Sequence, residues 1–407
     1  MSRHNSLSDY AHKRFRLAGK SVLDNGNPFF VPTDALRSEI EAKPGGHYVS
    51  FANYDYLGLA DHPSVRQAAH DAIDRFGVGA LASRLVGGER STHRALEQAM
   101  ARFLGFDDTL ALVSGYLTNV TVLQHLMGGR DAIFLDELSH NSVASGGRGA
   151  AAETVVFRHN DFDHLDYLLT ERRENYRNVF IVVESLYSMD GDTVDLERLV
   201  ALKEKHQVWL LVDEAHSIGV MGETGRGLCE YAGVDPSRVD LVIGTLSKTF
   251  ASCGGFVAGR QGVIDWMRFT LPGFVYSVGL SPVITASAMA ALDLLQAEPW
   301  RVAKLGAIAE FFRDTAQDAG LDTGPAIGRA VVPILFNSDR ETMLASQHLL
   351  ENGVYVPPVV RIGVPKDQPR LRFFFSAAHT QDDVRRVCDL LANRPYVEQP
   401  RRALAAE

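Results

Sequence analysis

The chain has 407 residues, 46% of them hydrophobic, and a formal net charge of −9. That length buries a sizeable core and suggests two or three units of ordinary domain size, while the mild negative charge argues against a dedicated nucleic-acid surface. Cys229, Cys253 and Cys388 are the only cysteines, in no metal-ligand spacing, which excludes a disulfide framework and fits a reducing, cytoplasmic compartment. The start, MSRHNSLSDYAHKRFRLAGK, lacks the apolar core of a signal peptide, and no stretch is apolar for long enough to span a bilayer.

Residues 1–50 read as a helical arm followed by Gly- and Pro-punctuated loops, too poor in apolar residues to fold alone. They are expected to lie on a larger body, in cis or on a partner chain. FANYDYLGLADHP, from Phe51, sets Asn53, Tyr54 and Asp55 before a helix expected at Pro63. A pocket lining and a Tyr-rich packing loop are both open there. The Gly-rich stretch from Gly77 enters a helix with His93 and Glu97 on one face. It has neither a GxGxxG pattern nor a preceding strand, so a dinucleotide site is a poor reading.

A strand is expected from Thr109 to Val113, after which Ser114, Gly115 and Tyr116 open a helix. Free amides at such a start hold a phosphate well, although a simply capped helix is the alternative. From Asp131 the pattern alternates, DAIFLDELSHNSVASGG, ETVVFRHND, a helix near His164–Arg172, then NVFIVVESLYSMDGD. Such βα repetition predicts an α/β fold with a mostly parallel central sheet flanked by helices. His140 and Ser188 each follow an apolar run and so fall at one sheet edge.

Two further runs, Val208–Val212 and Val239–Ile243, deliver Asp213 with His216, and Thr245 with Ser247 and Lys248. Continuous apolar runs ending in polar residues suit parallel strands buried on both faces, with a site at their carboxyl ends. A carboxylate on one strand end and an amine on the next match the needs of pyridoxal phosphate. In such a site Asp213 would keep a pyridine nitrogen protonated, Lys248 would form the Schiff base and act as base, and Thr245 would take the phosphate; a helix-capping Asp213 and a solvated Lys248 are the alternatives.

After Gly255 come two long helices, Val283–Gln296 and Trp300–Ala319, then β-rich pieces around AVVPILFN, GVYVPP and RLRFFFSAAHT. The expected division is an arm at 1–50, a large cofactor-binding domain at 51–298 and a small C-terminal α+β domain at 299–407. Arg370 and Arg372 share one strand face, where an arginine facing a cleft clamps a carboxylate with two parallel hydrogen bonds.

Taken in order, SGY, DELSHNSV, ESLYSMDGD, VDEAHSIGVMGETGRG, GTLSKTFASCGG and RLRFFFSAAHT resemble the α-oxoamine synthases over nearly the whole chain. That family includes serine palmitoyltransferase, 8-amino-7-oxononanoate synthase, 2-amino-3-ketobutyrate CoA ligase and 5-aminolevulinate synthase. The resemblance implies an aspartate aminotransferase type of fold, a homodimer with sites at the subunit interface, and condensation of a small amino acid with an acyl-CoA thioester, or an acyl carrier protein donor. It implies Lys248 as the Schiff-base lysine, Asp213 at the pyridine nitrogen, and His216 and Ser188 near the phenolic oxygen. It also implies His140 stacked on the ring, and Gly115, Tyr116 and Thr245 on the phosphate with Ser277 of the other subunit. Arg372 falls where relatives hold the amino-acid carboxylate, with Tyr54 and Asp55 at the pocket and no metal.

Relatives often carry Arg-Pro-Pro before the last strand, but here the stretch is PPVVRIGVP, with Val360 at the arginine position and Arg361 displaced by one. In YSVGLSP, Val278 and Gly279 replace residues that are often polar. NYDYLG resembles the serine palmitoyltransferase branch, which implies a long acyl chain. Two other readings stay open. One is a different pyridoxal phosphate enzyme, an aminotransferase or a threonine-aldolase-like lyase. The other is a non-catalytic partner subunit, against which the presence of Lys248, His140 and Asp213 speaks.

Overall fold

The computed structural model describes residues 6–18, 29, 33–35, 39–42, 46–360 and 368–393. Its strands in chain order begin with β1 (Thr33–Ala35), β2 (Glu39–Ala42) and β3 (Gly46–Ser50). Then come β4 (Asp108–Leu112), β5 (Ala132–Asp136), β6 (Glu153–Phe157), β7 (Val179–Glu184), β8 (Trp209–Asp213), β9 (Leu241–Thr245) and β10 (Gly255–Gly259). The last are β11 (Val331–Leu335), β12 (Val354–Tyr355), β13 (Pro358–Val359) and β14 (Arg370–Phe374). Contacts divide the chain into two compact units, Tyr54–Gly306, and Met1–Asn53 with Ala307–Glu407. The division falls within the helix Trp300–Asp318.

The unit Tyr54–Gly306 holds a seven-stranded sheet of order β4-β10-β9-β8-β7-β5-β6. Pairings among β5 to β9 are all parallel, and β10 runs antiparallel to both β9 and β4. β4 therefore points the same way as β5–β9. Six strands present their carboxyl ends at one edge. Every residue of β5 and β7 is buried, as a parallel strand covered on both faces requires. Leu112, Leu135, Val182, Leu211, Ile243 and Val257 form a continuous core, packed by Val122 and Val143 from the helices Gly115–Leu126 and Asn141–Gly149.

One contact in this unit depends on glycine. A Cβ on Gly255 would lie 2.6 Å from the Cα of Gly115, and one on Gly115 would lie 3.0 Å from the Thr245 side chain. Two glycines in contact let the start of the helix Gly115–Leu126 rest directly on the ends of β9 and β10. A side chain at either position would lift the helix away.

The other unit has a sheet of order β1-β2-β3-β12 and a three-stranded sheet of order β11-β14-β13. The strands at 33–50 are not legible as strands in the sequence, and the segment expected as a separate arm shares its unit with the C-terminal part of the chain. β3 pairs in parallel with β12, the Phe374 amide donates to the Phe51 carbonyl at 2.9 Å, and Phe51 stacks on His379 with centroids 4.2 Å apart. Sequence separation hides such pairings. No helix among the described residues is long and apolar enough to cross a membrane.

Candidate active site

β8 and β9 are parallel neighbours with Asp213 opposite Ile243, so Asp213 and Thr245, two residues beyond Ile243, emerge at the same edge. Asp213 is buried and accepts from Asn119 Nδ2 at 2.7 Å and from the Ala215 amide at 3.0 Å. Asn119 also donates to Ser142 Oγ at 3.0 Å, and Ser142 Oγ lies 2.7 Å from His140 Nδ1. A single chain of hydrogen bonds thus links the carboxylate at one strand end to the imidazole after β5. The Asn119 side-chain oxygen is buried, with no hydrogen-bond partner among the described residues.

Glu184 stands beside Asp213 in register on β7. Burial first, and then the charge of Asp213, push its carboxyl up to about 8, against the lowering pull of the His140 and Ser188 amides and of Lys248. Burial and the neighbouring Asp213 charge thus both favour the protonated form of Glu184.

The amine end is built around His216. Lys248 Nζ lies 2.8 Å from His216 Nε2, and the Tyr56 hydroxyl lies 2.7 Å from Nδ1. Tyr54 closes the other side, with Lys248 Nζ 5.5 Å from its ring centroid. Two anchors hold this pair. Thr249 Oγ1 donates to the Ile218 carbonyl at 2.6 Å, tying the lysine loop to the histidine loop. Glu214, buried and raised to about 7 by that burial, accepts from Ser217 Oγ and from the Leu228 amide.

The anion-holding end is the start of the helix Gly115–Leu126. Ser114 Oγ accepts from the Leu117 amide at 3.3 Å, which leaves the Gly115 and Tyr116 amides of the first turn for an anion. Thr245 Oγ1 lies 2.7 Å from Ser247 Oγ and donates to the Gly254 carbonyl at 2.9 Å. Tyr116 meets the His140 ring edge-on at 6.4 Å, and its hydroxyl donates to Asn141 Oδ1 at 3.0 Å. Gly115 at this end and Asn119 at Asp213 are four residues apart on one helix, a rise of roughly 6 Å. Pyridoxal phosphate, a small planar ring with a protonated nitrogen, an aldehyde and a phosphate, fits this set of groups. The Asp213 carboxylate matches the ring N–H, the half-buried Lys248 amine the aldehyde, and the glycine-lined helix start the phosphate.

The structure therefore brings Lys248, His216, Asp213, His140, Thr245, Gly115, Tyr116 and Tyr54 together. Ser188, half-buried, donates its amide to Glu184 Oε2 at 3.4 Å. Asp55 binds backbone amides. Its two oxygens accept from the amides of Leu59 at 2.7 Å and Ala60 at 3.1 Å, closing the turn before the helix Pro63–Phe76. Burial raises its carboxyl, and those amides oppose the rise. Ser277 lies between the exposed side chains of Tyr276 and Val278. Arg372 belongs to the other unit, on β14, with its guanidinium 4.6 Å from the Phe374 centroid. Arg361 lies outside the described residues. Among the described residues no group of three or more His, Cys, Asp or Glu is placed to hold a metal.

Four contributors are not among the residues that the sequence singles out: Tyr56, Asn119, Ser142 and Glu184. The four-residue step from Gly115 to Asn119 puts both on one helical face and is the available signal for Asn119. Glu184, the first polar residue after the run FIVV, carries the same signal as Asp213.

A family model for aminotransferase class I and II matches residues 46–391. The chain is 36% identical over 357 residues to an 8-amino-7-oxononanoate synthase of Saccharophagus degradans, covering 88% of each. It is 38% identical over 350 residues to one of Geobacter sulfurreducens, covering 86% of this chain and 89% of the relative. Among solved structures, a serine palmitoyltransferase of S. paucimobilis with bound PLP–myriocin superposes with a TM-score of 0.90 at 28% identity, covering 96% of this chain and 98% of that one. A Sphingomonas wittichii serine palmitoyltransferase gives 0.90 at 29% identity with the same coverage.

Proposed function

The chain belongs to the aminotransferase class I and II family, with α-oxoamine synthases as its relatives, and we propose on that footing that it condenses a small amino acid with an acyl-CoA thioester. The products are an α-aminoketone, free CoA and carbon dioxide. The observation that carries this reading is the pairing of an enclosed amine, Lys248 on His216, with a carboxylate on the adjacent strand, Asp213 on Asn119.

Pyridoxal phosphate supplies an electron sink for the charge left when a bond at the substrate Cα is broken. The protein supplies the rest. Asp213, steadied by Asn119, would keep a proton on the ring nitrogen. Lys248 would hold the cofactor at its carbonyl carbon and would be the base that moves the substrate Cα proton. His216 orients that amine and passes the constraint to the buried Tyr56. His140 would cover the ring, and the Gly115 and Tyr116 amides with Thr245 would hold the phosphate.

The amino acid is serine, glycine or alanine, with its carboxylate on Arg372. The active species is a homodimer to which Ser277 contributes across the interface. The surface around Ser277 supports this: Gly279 N donates to the Ala82 carbonyl at 2.9 Å and Ser281 Oγ to the Val78 carbonyl at 2.6 Å. Tyr276 and Val278 on one of the two segments so joined, and Val78 and Leu81 on the other, are all exposed apolar side chains, of the kind that an interface buries. Sedimentation of the active protein tests it; a fully active monomer is the contradicting result.

The function is tested by incubating the three amino acids with acyl-CoAs of graded length, reading released thiol and product mass. Thiol release that requires both substrates supports the condensation. Consumption of an α-keto acid without thiol release would identify an aminotransferase instead.

A further inference from the structure

Away from the groups described above, three sheet strands end on one imidazole. His159 follows β6, its Nδ1 2.8 Å from Asp136 Oδ1 at the end of β5 and its Nε2 2.8 Å from Asp192 Oδ2 in the loop after β7. We propose that His159 is a positioning residue of the cofactor site: by bridging Asp136 and Asp192 it sets the place of the loop carrying His140 against the loop carrying Ser188. This rests on the reading of His140 and Ser188 as cofactor contacts.

Each carboxylate shapes its own loop. Asp136 accepts from the Leu138 amide at 2.9 Å through Oδ1 and, through its backbone carbonyl, from the Ser139 amide at 3.0 Å. That turn ends at His140. Asp192 accepts at its carbonyl from the Tyr187 amide at 2.9 Å, and Thr193 Oγ1 donates to the Ser185 carbonyl at 2.6 Å. That closes the hairpin-like loop that holds Ser188. Asn160 repeats the bridge, its amide on Asp136 Oδ2 at 3.0 Å and its side chain on Asp192 Oδ2 at 2.9 Å. It does so with a left-handed φ of +52°, a conformation that asparagine tolerates better than most residues.

Charge makes the bridge strong. Asp136 and Asp192 are both buried, and without a cation between them they repel. Burial alone would lower the His159 imidazole, but hydrogen bonds and charge from the two aspartates outweigh it and raise it to about 10. The ring is then a permanent cation with both N–H groups committed, one to each loop. Its backbone amide is held by Glu137 Oε1 at 2.9 Å, and Tyr187 meets its ring edge-to-face at 4.5 Å. Tyr187 directly precedes Ser188, so a shift of the imidazole is passed on by one residue. A merely structural bridge anywhere else on the sheet would leave the cofactor untouched. This one joins the two loops whose side chains are placed on the ring.

The test is titration of full-length apoprotein with pyridoxal phosphate for wild type, His159→Gln, Asp192→Asn, His140→Ala and Ser188→Ala. Cofactor affinity, the visible circular-dichroism band of the bound cofactor and the melting temperature of the apoprotein are read for each. His159→Gln is expected to weaken cofactor binding about ten-fold, the effect of one lost charged hydrogen bond, and to reduce the band. Asp192→Asn, which keeps an acceptor oxygen and the fold, is expected to show the same change in smaller measure, and decides the matter if His159→Gln does not fold. Lowered melting with unchanged affinity and band in the variant that folds would make the bridge structural only and overturn the proposal. If His140→Ala and Ser188→Ala themselves titrate like wild type, the reading of those two residues fails, and the positioning role falls with it.

Discussion

Lys248 meets His216 end-on, amine to imidazole at 2.8 Å. The imidazole cannot turn away, because its other nitrogen is held at 2.7 Å by the Tyr56 hydroxyl, on a fully buried ring. A reactive lysine needs a fixed direction of attack as well as a suitable proton affinity. The Tyr56–His216 contact provides the direction.

Tyr56→Phe keeps the buried ring and removes only the hydroxyl. Turnover is expected to fall about ten-fold, while thermal stability changes by about 1 kcal/mol, the ordinary value of a neutral hydrogen bond. Steady-state kinetics beside a melting curve checks this. Unchanged turnover would remove the tyrosine from the site.

Asn119→Ala strips Asp213 of its side-chain donor. A hydrogen bond to a charged group is worth about 1.5–3 kcal/mol, so cofactor affinity is expected to drop by roughly ten- to a hundred-fold. Ser142→Ala, one step further along the chain of bonds, is expected to cost less. Absorbance titration of the apoprotein measures both.

Glu184 gives a pH signature. Its carboxyl is raised from 4.5 to about 8 in the folded chain, so between those values the folded state binds a proton that the unfolded state has lost. Stability from this group is therefore full below pH 4.5 and declines as pH rises toward 8. Glu184→Gln, neutral throughout, is expected to gain on wild type by on the order of 1–3 kcal/mol between about pH 5 and pH 8. Denaturant curves at the two pH values check it; parallel pH dependences would contradict it.

Arg372→Ala is expected to weaken amino-acid binding by roughly ten- to a hundred-fold and leave acyl-CoA affinity nearly unchanged. Arg372→Lys restores the charge without the planar fork and is expected to recover only part of the loss. Spectral titration with L-serine, glycine and L-alanine reads the effect. If Arg372→Ala titrates like wild type while Arg361→Ala does not, the displaced arginine is the clamp.

Much of the fold is legible because buried parallel strands announce themselves as unbroken apolar runs. β7, β8 and β9 each appear that way, and each ends in the polar residue that matters. β10 has no such signature: Gly255–Gly259 is short, bounded by glycines, and runs antiparallel within a pattern of parallel units. The strands at 33–50 are hidden because their partners lie far downstream or carry mixed polar sequence. In the site, Asp213 and Thr245 at strand ends are readable from the sequence, whereas Asn119 and Ser142, reaching in from within helices, are not. Asn119 is one of several polar residues in an apolar helix until Asp213 is placed beside it. The turn that Asp55 closes with the Leu59 and Ala60 amides is likewise not legible beside its two tyrosines. His159 sits in RHND with nothing local to show that two distant aspartates converge on it.

The most direct test of the central claim is where the cofactor is attached. Purified protein is expected to be yellow, and borohydride reduction followed by peptide mass mapping is expected to place the reduced cofactor on Lys248. Lys248→Ala should still bind the cofactor through Asp213 and the helix start at Gly115, but without covalent label or turnover. A label on another lysine, or thiol release retained in Lys248→Ala, would contradict this assignment.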